Sequence, residues 1–387
     1  MLTANTLQLS NGRFGHWEVA GRPYYNKLSA ILAAVPHGWW PHWNFREDEF
    51  SSTDWSIEPA ETLEQLYFKR ARRLREKYSS IAVEFTGGAD SWNTVWSFLK
   101  QGLHIDTVYH KYVAAGDNGN ANDRSAENTS AEGVLQAYPW YKKFLELDPN
   151  MRWEVDYTTD EIVAGWQGQQ LDPLLFNHIH PGYIIKVPGV ARELPRFIDH
   201  NQRSAVLYGI DKPNLFFENN KFYFYFADFQ IHTRAFYERS ALNLPADDVL
   251  FYWDPDCVDL CIKQAHIVAN WFRQNPKFLY LISNRGHRDT KLYHYIVNQL
   301  IYPEYRPDWQ SEKASGFYFP THESWFYQNC ENTAHGANYM SSIKRASDLL
   351  VDAYRLAPEN TQQYLRWENG YARPDDSWGK LFYIGDL

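Results

Sequence analysis

The chain has 387 residues, a formal net charge of −9 at pH 7 and 3 cysteines. That combination argues against a disulfide scaffold and against broad electrostatic binding to nucleic acid. No apolar run approaches the roughly 18 residues a membrane helix needs, and Met1-Leu2-Thr3-Ala4-Asn5 lacks the basic and apolar regions of a signal peptide, so cytoplasm is the expected compartment.

Residues 1–78 read as an N-terminal extension. A short strand is expected around His16–Val19 and a helix from about Tyr25 to Ala34. Gly38-Trp39-Trp40-Pro41-His42-Trp43 cannot be a regular helix because of its proline, and reads as a packed aromatic loop. Phe, Trp and Tyr make up 17 % of the chain, including 16 Trp. Most of these rings should be core, since aromatic side chains bury large areas, with a minority left to stack on a ring substrate. A helix then begins near Pro59, with Leu63, Leu66, Tyr67, Ala71, Leu74 and Tyr78 as its apolar stripe. Lys69, Arg70, Arg72, Arg73, Arg75 and Lys77 fall mostly on the other face, as a solvated surface or as a docking stripe for RNA or DNA.

Residues 79–215 carry the chemistry. The apolar run Ile81–Phe85 predicts a strand, and Trp92, Val95, Trp96 and Leu99 fall at i, i+3, i+4 and i+7 of a helix. Between them lies Thr86-Gly87-Gly88-Ala89-Asp90-Ser91. A strand, a glycine turn and a helix start in that order make an anion site, because free amides and the helix dipole point at the ligand. Glycine lets backbone approach an oxyanion closely, Asp90 offers a carboxylate suited to Mg2+, and Ser91 offers a hydroxyl donor. Gly102 is placed as a helix C-cap, followed by a strand over Leu103–Tyr109 that should pair parallel with the first. A polar loop over Ala114–Asp123, long enough to be a lid or a binding loop, precedes a helix from about Ala131 to Leu147. Further strands are expected at Trp153–Tyr157 and Ala205–Tyr208. The second of these runs into Gly209-Ile210-Asp211-Lys212-Pro213, which should lie near the first glycine loop unless it is only a surface turn. His178 and His180 read as structural, and Lys186 and Arg192 as cations available to phosphates.

Residues 216–387 read as a mostly helical cap or substrate region. It opens on a hairpin around Asn219-Asn220 and continues with helices near Pro255–Phe272, Lys291–Gln299 and Ser342–Leu356. Cys257, Cys261 and Cys330 are expected to be inert.

Neither a Walker loop nor the dinucleotide fingerprint occurs. The Thr86–Ser91 segment instead resembles the Ser-Gly-Gly-x-Asp-Ser signature of the PP-loop ATP pyrophosphatases, with Thr86 in place of the usual serine. That superfamily includes the synthetase domain of asparagine synthetase, GMP synthetase, a deazaguanine synthase and PAPS reductase. A wider pattern looks like PP-loop proteins encoded by tailed bacteriophages, which would make the compartment the host cytoplasm. It runs over Gly21–Lys27, the loop, Gly209–Pro213 and Tyr252-Trp253-Asp254-Pro255-Asp256.

The resemblance implies an α/β fold with an open, mainly parallel sheet and helices on both faces, of the adenine nucleotide alpha-hydrolase type. ATP would bind at Thr86, Gly87, Gly88, Ala89, Asp90 and Ser91, with Tyr109, Gly209, Lys186 and Arg192 joining the set. Mg2+ would lie on Asp90 and Asp211, and Asp90, Ser91, Asp211 and Lys212 would form the catalytic group. The implied reaction adenylates a substrate oxygen, releases pyrophosphate, and then displaces AMP with a nitrogen or sulfur nucleophile. The acceptor would be a small molecule or a nucleobase. Leu2 stands where an asparagine-synthetase-like glutaminase needs cysteine, and no Cys-x-x-Cys occurs. Asn329-Cys330-Glu331 is loosely similar to the C-terminal segment of PAPS reductases, which keeps a sulfur enzyme open. A non-catalytic ATP-binding protein and a nucleic-acid modification enzyme stay open as well.

Overall fold

The computed structural model describes residues 14–113, 136–158, 203–228, 246–285, 290–305, 334–355, 357–362, 364–368 and 370–387. Its centre is a five-stranded, all-parallel sheet of β4 (Ser80–Glu84), β5 (Thr107–Val113), β6 (Arg152–Thr158), β7 (Ser204–Tyr208) and β10 (Ala246–Leu250). The spatial order is β10-β7-β4-β5-β6. The chain therefore starts in the middle, moves out through β5 and β6, and returns to build β7 and β10 on the other side of β4. Every residue of β4 and β7 is buried, as expected for parallel strands covered on both faces. The expected open α/β fold is present, with helices flanking the sheet.

The N-terminal segment forms a small antiparallel sheet of β1 (His16–Val19), β2 (Arg22–Tyr24) and β3 (His42–Asn44), together with helix α1 (Lys27–Ala34). The aromatic loop expected at 38–43 thus ends in a strand, which packs Trp43 tilted against Trp17 at a ring separation of 4.8 Å. A short helix α2 (Glu47–Phe50) leads to α3 (Leu63–Lys77). Helix α3 starts later than Pro59 because Thr62 and Gln65 form a capping box, with the Thr62 amide donating to Gln65 Oε1 at 2.8 Å. Its apolar stripe is buried as expected. Arg70 departs from the expected outer face: it is buried, donating to Phe251 O, Leu250 O and Asp254.

Helix α4 (Ala89–Leu99) follows β4, and Gly102 adopts φ +69° just past its end. Strand β5 begins at Thr107, four residues later than the sequence suggests. Carboxylates have taken the amides that a ladder would use: Asp148 accepts from Ile105 at 3.1 Å, and Asp106 accepts from Ile81 at 2.8 Å. Helix α5 (Tyr138–Phe144) lies within the expected 131–147 span, whose first residues, like the 114–123 loop, lie outside the described residues.

Beyond residue 215 the described residues combine helices with further strands. β8 (Asn214–Glu218) and β9 (Lys221–Tyr225) form the hairpin, with Asn219 and Asn220 at φ 52° and 60°, as a type I′ turn requires. β13 (Phe382–Asp386) joins β9, and β11 (Leu365–Glu368) pairs with β12 (Tyr371–Pro374). β10 completes the central sheet from beyond the 215 boundary. Its Asp247 and Asp248 obscure it in the sequence, yet both carboxylates accept tyrosine hydroxyls, from Tyr78 at 2.7 Å and Tyr208 at 2.9 Å.

The longer helices among the remaining described residues are α6 (Val258–Gln274), α7 (Thr290–Ile301) and α8 (Ala334–Arg355), followed by the short α9 (Glu359–Gln362). One core runs from Phe14 to Ile384, and a second joins Leu28, Ile31 and Val35 to Ala346, Leu350 and Tyr354. Phe14 and Ile384, near the two ends of the described range, therefore share one core. Among the described residues no helix is long and apolar enough to cross a membrane.

Lys27 and Asp228 meet at 2.8 Å with both side chains buried, and Trp17 Nε1 donates to the same carboxylate at 2.8 Å. Asp228→Ala breaks a buried ion pair by removing one partner and is expected to cost about 3–5 kcal/mol. Lys27→Met combined with Asp228→Leu should cost much less. Urea denaturation of the three proteins checks this, and equal losses for single and double variants would contradict it.

Candidate functional site

In open parallel sheets a crevice forms at the carboxyl ends of two strands whose connections leave in opposite directions. Here those strands are β4 and β7, and the loops at their carboxyl ends are Thr86–Gly88 and Gly209–Pro213. The two glycine loops of the sequence are thus brought together.

Each glycine has a physical reason. Gly87 has φ +75°, and a Cβ there would lie 2.8 Å from the backbone of Gln136 and Ala137. A Cβ on Gly209 would lie 2.8 Å from Asp90 C and Ser91 N. Backbone therefore packs directly on backbone where the second loop meets the start of α4. Gly88 is the extended N-cap, and no side chain caps the helix, so its first-turn amides keep the orphan donors of any helix start. The hydroxyls fold the loop on itself. Thr86 N donates to Ser91 Oγ at 3.3 Å, Gly88 N donates to Thr86 Oγ1 at 3.3 Å, and Ser91 Oγ donates to Gly88 O at 3.2 Å. Thr86 fills this role as a serine would, because only the hydroxyl is used.

Charge is concentrated at one contact. Lys212 Nζ is ion-paired with Asp90 Oδ2 across the crevice, while the Lys212 amide donates to Asp211 Oδ1 at 2.6 Å. Burial works against the ammonium, but Asp90 and Asp211 outweigh it and hold the Lys212 pKa above the ordinary lysine value. The lysine is therefore a firm cation at neutral pH, facing a helix start that also favours anions. Asp90 and Asp211 are the acidic groups nearest that cation. Among the described residues no cluster of three or more acidic, histidine or cysteine side chains assembles to hold a metal.

Three tyrosines that sequence reasoning did not assign complete the site. Tyr302 OH donates to Asp90 Oδ1 at 2.8 Å, Tyr252 OH to Asp90 O at 2.8 Å, and Tyr305 OH to Gly87 O at 2.9 Å. Asn93 in turn donates to Tyr252 OH at 3.1 Å. Burial pushes the Tyr252 and Tyr302 hydroxyls well up, so they stay protonated donors. Tyr252 lies in the wider sequence pattern; Tyr302 and Tyr305, just past α7, carry no signal of their own.

Tyr109 pairs with Glu84, one residue below the loop, but its ring is buried and its hydroxyl donates to Glu84 at 3.3 Å. Lys186, Arg192, His178, His180 and Cys330 lie outside the described residues. Cys261 is buried and Cys257 half-buried; burial raises both thiols, Cys257 to about 11, which fits inert packing.

The arrangement joins orphan amides, a half-buried lysine and a carboxylate at one strand end. It suits an anionic group accompanied by a cation. No protein-family model matches the chain, and no curated protein matches it, so function has to be read from these residues. Gly209→Ala forces two backbone segments apart and is expected to cost about 1–3 kcal/mol, as overpacking does. Denaturant unfolding measures it, and an unchanged midpoint would refute direct contact between the loops.

Proposed function

We propose that the chain is an ATP pyrophosphatase of the PP-loop type, an AMP-forming ligase or transferase acting in the cytoplasm. The reading rests on one observation: Lys212 of the second glycine loop meets Asp90 at the uncapped start of α4, in the crevice between β4 and β7. The β- and γ-phosphates of ATP would take the first-turn amides and the Lys212 ammonium, which exchanges its partner Asp90 for phosphate oxygens. Mg2+ typically takes one or two carboxylates with phosphate oxygens and water, so Asp90, with Asp211, is a suitable holder and the ion would screen phosphate charge there.

A carboxylate, carbonyl or amide oxygen of the acceptor attacks the α-phosphorus. The new P–O bond forms as the bond to the bridging oxygen breaks, and pyrophosphate leaves with that electron pair. A nitrogen or sulfur nucleophile then attacks the activated carbon, and AMP departs. This chain's part is positioning and electrostatic: Lys212 and the amides stabilise the leaving pyrophosphate, and the tyrosines hold Asp90 and the loop in place. No side chain has to act as a covalent nucleophile. The acceptor is a small molecule or a nucleobase.

Incubation with ATP, Mg2+ and pools of metabolites or nucleosides should release AMP and pyrophosphate in equal amounts. Lys212→Met removes a charge-assisted contact of about 1.5–3 kcal/mol, so ATP affinity should fall about 10- to 100-fold. Asp90→Asn should abolish pyrophosphate release while leaving metal-free ATP binding intact or tighter, since it frees Lys212. ATP bound at this loop without turnover under any acceptor would favour a non-catalytic binder. ADP and phosphate as products, or no ATP binding, would refute the reading.

A further inference from the structure

The six cations of α3 separate into two sets once their contacts are traced. Lys69 pairs with Glu61 at 3.1 Å, Arg72 donates to Gln101 at 3.0 Å, and Arg75 pairs with Asp106 at 2.8 Å. The other three, Arg70, Arg73 and Lys77, recur at i, i+3 and i+7 and so share one face of the helix. They line a cleft of about 280 Å³ beside the edge strand β10, with Leu74 and Val249 as apolar walls. β7 separates β10 from β4, so this cleft is distinct from the crevice described above.

The cleft is built around a fixed guanidinium. Arg70 is only 4 % exposed, and Phe251 O, Leu250 O and Asp254 hold its Nε and one Nη. Its second Nη has no hydrogen-bond acceptor among the described residues, although the side chain lines the cleft. Arg73 spends one nitrogen on Asp256 O at 2.9 Å. Lys77 lies 5.2 Å from the centre of the Tyr78 ring. Neither Arg73 nor Lys77 is ion-paired among the described residues, and both are exposed. Two acids also border the cleft, but Asp254 is already engaged by Arg70 at 3.0 Å and approached by Arg46 at 4.0 Å. Asp256 and the negative end of the α3 dipole work against an anion here. Arg70, Arg73 and Lys77 stand against Asp254 and Asp256, so the lining keeps one positive charge in excess, and it is carried by the exposed Arg73 and Lys77.

We propose that this cleft is an oxyanion site that takes a phosphoryl group, carried either by a small phosphorylated ligand or by a polynucleotide backbone. A phosphomonoester brings up to two charges and three acceptor oxygens, and successive backbone phosphodiesters one charge and two oxygens each, so either can meet the free Arg70 nitrogen, Arg73 and Lys77. The cleft is larger than one such group needs, which leaves room for what the group is attached to. The proposal does not depend on the ATP reading, because it uses none of the residues of that site.

Calorimetric titration with inorganic phosphate and with a short single-stranded DNA tests it. The wild type should bind at least one probe saturably. Arg73→Glu with Lys77→Glu, both exposed positions, should leave the thermal unfolding midpoint near wild type and weaken that binding at least about tenfold. Lys212→Met should leave it unchanged, which separates this cleft from the glycine loops. DNA binding whose salt slope falls by about 2 in the double variant identifies a polynucleotide source, whereas binding of phosphate alone identifies a small ligand. No saturable binding of either probe, or binding untouched by the double charge reversal, overturns the proposal.

Discussion

The contact between Gly209 and the Asp90–Ser91 backbone is the constraint on which the site depends. Two parallel strands side by side do not by themselves bring their following loops together; the loops can splay. Here the absence of a side chain at Gly209 lets one loop rest on the first turn of α4, 2.8 Å from where a Cβ would sit. Only at that separation can Lys212, three residues further on, reach the Asp90 carboxylate. The lysine's raised pKa follows from the same closeness, since two carboxylates outweigh the burial that works against its charge. Packing geometry and electrostatics are thus one arrangement seen at two levels.

Much of this was legible in the sequence, and the parts that were not share a cause. Strands β4 and β7, helix α4 and the Asn219-Asn220 hairpin announce themselves through local apolar runs, helical spacing and turn residues. The glycine loops are legible because their residues serve their own local backbone. What escapes is whatever a distant partner decides. β10 hides because Asp247 and Asp248 look unsuited to a buried strand until Tyr78 and Tyr208 arrive as donors. β5 starts late because Asp106 and Asp148, one at the strand's entrance and one far along the chain, capture amides near it. Arg70 reads as one more surface cation until the carbonyls of β10 and its following turn draw it inward.

The unusual aromatic content acquires a specific meaning at the site. Most rings pack as expected, as in the cluster of Trp55 with Phe224 and Phe382, stacked at 4.7 and 4.5 Å. A few tyrosines do something that Phe could not. Tyr67, Tyr252 and Tyr302 lie within 6.3 Å of one another in pairs, and two of their hydroxyls end on Asp90. Lysine or arginine donors at those positions would add charge to a crowded interior. Buried phenols supply directed hydrogen bonds while staying neutral.

Neutral donors matter because of what they leave available. Tyr302 occupies Asp90 Oδ1, and Lys212 occupies Oδ2. The first contact is made by a phenol whose proton burial holds in place, so it fixes the carboxylate's orientation whatever the second contact does. The second is an ion pair with a lysine from the loop that follows β7. In the proposed reading, an anion arriving at the α4 start would compete for the lysine and leave the carboxylate pointing the same way, with one oxygen uncovered. A rigid hold on one oxygen and an exchangeable hold on the other is the arrangement that lets a charged site change partners without the loop having to refold.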